Sequence, residues 1–250
     1  MNEDSRRRGS GRDRRGPRRP PRERERSRDG DSHQRSVTSV PAGALPKWVR
    51  EEITRSTAKE RRDPALKALG SGIDHYADER FGSALRPLRE AKKLAPRSST
   101  VRELLGLAAY RSELWEEALR ELRTFRRLTG ETIHMPVEVD CLRALGRADD
   151  VHKTWRLLEE LGVSKATSHE ARVVYGSFLL DEGLVSDAWR IVKPGRLIAS
   201  PSQEELRQWF VAARVAIAAG DRSAAIKIIT ALENHDADFE GIDELRDMIG

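Results

Sequence analysis

Cysteine is almost missing from this chain. The single residue of this type, Cys141, rules out an intramolecular disulfide framework and fits a reducing cytoplasm. Long hydrophobic runs are missing too. Nothing approaches the ~20 apolar residues that cross a bilayer, and the longest candidate, "WFVAARVAIAAG" from Trp209, is interrupted by Arg214. No membrane association is expected. The six histidines stand at 33, 75, 134, 152, 169 and 235, and no two lie four apart, as a helical metal pair requires. His152 follows Asp149 and Asp150, but those carboxylates read more simply as opening a helix at its positive dipole end.

Other catalytic signals are lacking as well. "GSGIDHYA" at Gly70 has two glycines but interrupts a helical pattern rather than following a strand, so it is not a phosphate loop. Glu116–Glu117 and Glu159–Glu160 are adjacent in sequence, so they do not converge on one point of a helix and read as solvated face. Cys141 has no motif around it and reads as a small buried hydrophobe. We expect no enzyme, no cofactor, no metal and no small-molecule substrate.

Charge is abundant but unevenly placed. The whole chain carries a net +5, yet residues 1–36 hold thirteen Arg, no Lys and seven acids, a local net of +6. The remainder has 33 bases against 34 acids and is nearly neutral. Only Met1 is strongly apolar before Val37, so this segment cannot bury enough surface to offset its ordering entropy. A disordered, arginine-rich tail is expected over 1–45. Asn2, Glu3 and Asp4 after the initiator, with no apolar segment following the arginines, argue against a secretory signal. The denser half of the tail offers Arg6, Arg7, Arg8, Arg12, Arg14, Arg15, Arg18 and Arg19 to RNA or another polyanion. Against that stand the interspersed acids and the absence of an aromatic for stacking.

What the chain does have is a repeat. "HYADERFGSALRPLREAKKLAP" from His75 and "AYRSELWEEALRELRTFRRLTG" from Ala109 align at an interval of 34, pairing Tyr76 with Tyr110, Phe81 with Trp115, Ala84 with Ala118, Leu88 with Leu122 and Leu94 with Leu128. Apolar residues recur every three or four positions, the mark of amphipathic helices. Asp63 followed by Pro64 predicts a helix start. "DER" at Asp78–Arg80 divides two helices, and Pro96 ends the second. Thr100 with Glu103, and later Ser202 with Glu205, predict capping boxes. Ala or Val recurs at 84, 118, 151, 188 and 225, with intervals of 34, 33, 37 and 37. The longer intervals fit insertions such as "KPGRLIASPS" at Lys193–Ser202.

On these positions the segment 63–236 resembles the tetratricopeptide repeat family. The small residues are Gly72, Gly106 and Gly176 with Ala84, Ala118 and Ala188, and Pro96 or Gly130 ends a unit. The resemblance implies an all-α fold, an α-α superhelix of about five helical hairpins stacked into a right-handed solenoid. The glycines are expected where two helices of a unit cross, faced by those alanines, because close approach to ~8–10 Å admits no large side chain on either side. A capping helix over 46–62 is expected to dock Trp48 and Ile53 in front, and one over 237–250 to dock Leu245 and Met248 behind. Trp115, Trp155, Trp189 and Trp209 read as core.

The family's geometry implies a concave groove lined by the first helices, holding a protein or peptide. Tyr76 and Tyr110 fall late in those helices, near that surface. The slots at which some members clamp a terminal carboxylate with Lys and Asn are Leu69, Ile73, Glu103, Leu107, Pro136, Asp140, Val173, Ser177, Phe210 and Arg214. None of them is Lys or Asn, so that clamp is not written here. The expected groove is mixed, with Glu103 and Asp140 toward one end, Ser177 between, and Arg207 and Arg214 toward the other. Two function classes follow: a non-enzymatic protein-binding adaptor, and a nucleic-acid-associated protein whose tail contacts phosphates.

Overall fold

The computed structural model describes residues 45–249. The expected tail and its arginines lie outside them, apart from Leu45. Among the described residues there are twelve α-helices and no strand. They run α1 (Lys47–Ser56), α2 (Lys59–Ala77), α3 (Phe81–Leu94), α4 (Ser99–Arg111), α5 (Trp115–Thr129) and α6 (Met135–Ala144). Then come α7 (Ala148–Leu161), α8 (Lys165–Asp181), α9 (Val185–Val192), α10 (Gln203–Ala218), α11 (Arg222–His235) and α12 (Ile242–Ile249). Five consecutive pairs, α2/α3 through α10/α11, form helical hairpins, with α1 and α12 at the ends. One hydrophobic cluster runs from Val49 to Leu245. No helix among the described residues is long and apolar enough to cross a membrane.

Every hairpin closes in the same way. Positive φ occurs at Glu79 (56°), Glu113 (58°), Gly146 (66°), Gly183 (73°) and Gly220 (73°). The next residue's N–H then reaches back five positions: Arg80 to His75, Leu114 to Ala109 and Arg147 to Leu142 at 2.9 Å, Leu184 to Leu179 at 2.8 Å, and Asp221 to Ala216 at 2.9 Å. This is the left-handed helix C-cap, which satisfies carbonyls that the helix end leaves open. The five turn residues are spaced by 34, 33, 37 and 37, the same intervals as the Ala/Val positions. The repeat is therefore a repeat of turn geometry.

Inside the hairpins the glycines sit at the crossings, as expected, but their nearest partners differ. A Cβ on Gly106 would lie 2.7 Å from Cδ2 and 2.8 Å from Cγ of Leu122. One on Gly72 would fall inside the Leu88 side chain, and one on Gly176 inside that of Val192. The expected facing residues Ala84, Ala118 and Ala188 are fully buried, one helical turn earlier on the second helix. The absence of a glycine side chain makes room for a large aliphatic one. The same offset of sixteen residues pairs Ala213 with Ile229 and Val139 with Trp155, all buried.

Carboxylates tie one hairpin to the next. Glu121 on α5 is fully buried and accepts from Lys92 of α3 at 2.7 Å and from Arg102 of α4. Burial raises its pKa, but the bonds from Lys92 and Arg102 outweigh that and hold it below the ordinary carboxylate value. Glu138 on α6, also buried, takes a two-pronged contact from Arg126 of α5 at 2.9 and 3.1 Å. Glu117, expected to be solvated, is instead mostly buried and bound by Arg89 of the preceding hairpin at 3.0 and 3.2 Å. Its neighbour Glu116 is exposed, as expected.

Several local expectations are corrected. The front cap is not one helix over 46–62, because the chain breaks at Thr57 and α2 begins at Lys59. Pro64 thus lies inside α2 and does not start it, and only the carbonyl of exposed Glu60 loses a donor there. The cap of α4 is Ser98, which accepts from Val101 N at 3.2 Å; Thr100 is helical and buried. Glu52 of α1 reaches the same helix start, accepting from Ser98 Oγ at 2.9 Å and Ser99 N at 2.6 Å. Ser202 with Glu205 does form a capping box. In front, Val49 and Ile53 are fully buried and Trp48 half-buried. Behind, Ile242 and Leu245 dock, whereas Met248, in the last turn of α12, is 57% exposed.

The crossings and the turns give opposite predictions. Gly106→Ala should lower stability by about 1–2 kcal/mol despite alanine's helix propensity, since overpacking against Leu122 outweighs it, and Gly106→Trp by far more. Glu113→Gly should raise stability by about 0.5–1 kcal/mol, by relieving a left-handed backbone at an exposed residue. Urea midpoints at unchanged slope measure both; a neutral Gly106→Trp would refute the close crossing.

Candidate functional site

The turn ends of the first helices gather aromatic and charged side chains. Three residues before each turn residue the chain has Tyr76, Tyr110 and Arg143; two residues after it, Phe81, Trp115 and Ala148. Tyr76 and Phe81 meet edge to face at 5.1 Å, and Tyr110 repeats this on Trp115 at 5.6 Å. From Tyr110 a polar ladder crosses three hairpins. The Tyr110 hydroxyl donates to Asp140 Oδ2 at 2.6 Å. Arg143 Nη1 donates to the other oxygen of Asp140 at 3.1 Å, and its Nε and Nη2 donate to Asp181 at 2.9 and 2.7 Å.

Electrostatics keep the two proton donors of this ladder, Tyr110 and Arg143, protonated. Burial, and then the bond to Asp140, push the Tyr110 phenol well up. Burial lowers the Arg143 guanidinium, but Asp181 and Asp140 outweigh it and raise it above its ordinary value. Beside the ladder lies an open depression of about 480 Å³. Trp115, Ala144 and Phe178 provide its apolar lining, and Asp140, Asp181 and Glu182 its acidic one, with Arg143 between them. No nucleophile–base pair is assembled among these lining residues.

Of the residues expected in a groove, Tyr110 and Asp140 are bonded to each other here. Tyr76 is half-buried; burial raises its phenol, Arg111 lowers it and Glu103 raises it, so those two charges lie nearby. Glu103 itself is a correction. Expected to be exposed, it is 4% exposed and bonded to His134 Nε2 at 2.8 Å, because α4 is covered by its neighbours along nearly its whole length. Leu69, Ile73 and Pro136 are buried as well, which moves the accessible surface away from those slots. Ser177 is 9% exposed. Arg207 is exposed and bound to Glu170 of α8 at 2.9 Å, and Arg214 is half-buried; neither lines the depression.

Sequence reasoning missed Arg143, Asp181 and Phe178. The signal for Arg143 was present, since it occupies the register position of Tyr76 and Tyr110. A second cluster involves His152, whose Nδ1 lies 2.8 Å from the Tyr175 hydroxyl, while Tyr175 stacks on Trp155 at 4.4 Å. The helix opening by Asp149 and Asp150 is as expected. Cys141 is fully buried, and burial pushes its thiol up to about 12, so it is no nucleophile. Trp155 and Trp209 are core, whereas Trp115 and Trp189 are half-buried at its edge.

Glu103→Lys should therefore destabilise the fold by about 3 kcal/mol or more, placing a cation in a buried site facing His134. Arg214→Glu should change stability by less than ~1 kcal/mol. Thermal or urea unfolding of the two variants separates these roles; equal stabilities would overturn the burial argument. Comparison of the chain with protein-family models and with curated proteins gives no match.

Proposed function

We propose that this protein is a non-enzymatic adaptor that holds a protein or peptide against the turn ends of its first helices, in a helical solenoid of the tetratricopeptide kind. The observation that carries the reading is the depression beside the Tyr110–Asp140–Arg143–Asp181 ladder, an open surface with aromatic, aliphatic and charged lining on a rigid scaffold. Five hairpins with the same turn, three of them with a glycine at the crossing, support the repeat reading. The lone, buried Cys141 suits a reducing cytoplasm.

A second reading rests on one specific feature, the thirteen arginines of residues 1–36. On that reading the protein associates with RNA or another polyanion through Arg6–Arg19, and the helical part plays no role in affinity.

One experiment weighs the two. Proteins captured by the full-length chain are quantified after nuclease treatment, alongside a variant lacking residues 1–36 and the double variant Asp181→Lys, Glu182→Lys. The adaptor reading expects a partner set that survives nuclease and tail removal and is lost in the double variant. Capture abolished by nuclease and untouched by the double variant would overturn it. The polyanion reading would then require a log–log salt slope near −4 for a single strand, from ~−0.7 for each of about six phosphates.

A further inference from the structure

The repeat supplies its own template for what the depression holds. At the junction of the first and second hairpins, the Arg111 guanidinium lies 4.6 Å above the centre of the Phe81 ring. Phe81 stands two residues after its turn residue Glu79, and Arg111 two residues before the next, Glu113. Applied one hairpin later, the same register gives Trp115, two after Glu113, and Ala144, two before Gly146. The tyrosine that meets the ring edge to face is kept, as Tyr76 on Phe81 and Tyr110 on Trp115. Only the cation is missing. Ala144 stands in its place, and Ala144 and Trp115 both line the open depression.

The surrounding charge favours the missing group. Asp140, Asp181 and Glu182 face Arg143 alone, which leaves the lining two charges negative. Arg143 is committed to Asp140 and Asp181, whereas Glu182 is exposed. A Trp face attracts a cation more strongly than the Phe face that Arg111 already covers. A guanidinium is planar, stacks on an aromatic ring and forks onto a carboxylate, which an ammonium does less well.

We propose that this depression binds an arginine side chain of the partner, seated over Trp115 and Ala144 as Arg111 is seated over Phe81, with Glu182 accepting from it. This deepens the adaptor reading and rests on it for the identity of the ligand as a peptide. It commits the partner to an accessible arginine at the contact.

The probe is the tripeptide N-acetyl-Gly-Arg-Gly-amide, titrated into the full-length protein and read by the Trp115 indole N–H resonance, assigned with Trp115→Phe. A saturable shift is expected, weaker with the lysine analogue and absent with the alanine analogue. Ala144→Arg should fill the site from within and weaken tripeptide binding about tenfold or more, because the intramolecular guanidinium takes the cation–π position. It should leave the melting temperature unchanged, since Ala144 is exposed. Glu182→Gln should weaken binding several-fold without touching the ring or the fold. No saturable shift, an equal response to the alanine analogue, or undiminished binding by Ala144→Arg would each overturn the proposal. Loss of tripeptide binding with partner capture intact would defeat this site and leave the adaptor reading standing; the converse would defeat the adaptor reading alone.

Discussion

The structure depends on the closeness with which two helices cross in the first, second and fourth hairpins. Leu122 occupies the volume where a side chain on Gly106 would be, and Leu88 and Val192 do the same at Gly72 and Gly176. A short turn with one left-handed residue fixes the entry angle of the second helix, and the crossing fixes its distance. The crossing pairs a glycine with an aliphatic residue sixteen positions on in three hairpins, and the turn residue recurs in all five. Each hairpin buries only part of its apolar surface, so the cluster from Val49 to Leu245 exists because neighbouring hairpins share it.

Sharing is enforced by charge as well as by packing. Glu121 and Glu138 are buried acids, and an unpaired carboxylate there would be costly. Lys92 and Arg102 hold the first and Arg126 the second, so each acid requires the adjacent helices to be in register. Breaking one partner of such a pair would be strongly destabilising, because it leaves the other charge buried and unpaired. Between its neighbours α4 is almost wholly enclosed, and accessible aromatic and charged groups collect at the turn ends of the second to fourth hairpins.

Much of this was legible in the chain. The intervals of 34, 33, 37 and 37 recur as the spacing of the turn residues, and Ser202 with Glu205 caps its helix as read. What escaped did so for local physical reasons. Asp63–Pro64 has the composition of a helix start, but α2 already begins at Lys59 and carries the proline within it. Thr100 lost the cap to Ser98, whose neighbour Ser99 is also held by Glu52 across 47 residues of chain. Glu103 looked like a groove residue because pattern alone does not show His134 packed against it. Met248 follows buried Leu245 by three positions, but it sits in the last turn of an eight-residue helix and is left 57% exposed.

The degeneracy of the repeat has a physical reading. Where the crossing is closest little change is tolerated, because a Cβ at Gly106 would meet Leu122, and the turn backbone is kept in all five hairpins. The positions two before each turn residue are constrained far less, and they hold Ala77, Arg111, Ala144, Asp181 and Ala218, all exposed. Replacing a covering arginine by alanine there removes one cation–π contact and leaves crossing and turn intact. A chain that keeps Trp115 and Tyr110 while placing alanine at 144 therefore opens a surface without loosening the scaffold beneath it. Recognition can diverge at those slots while the fold stays as the glycines and turns require.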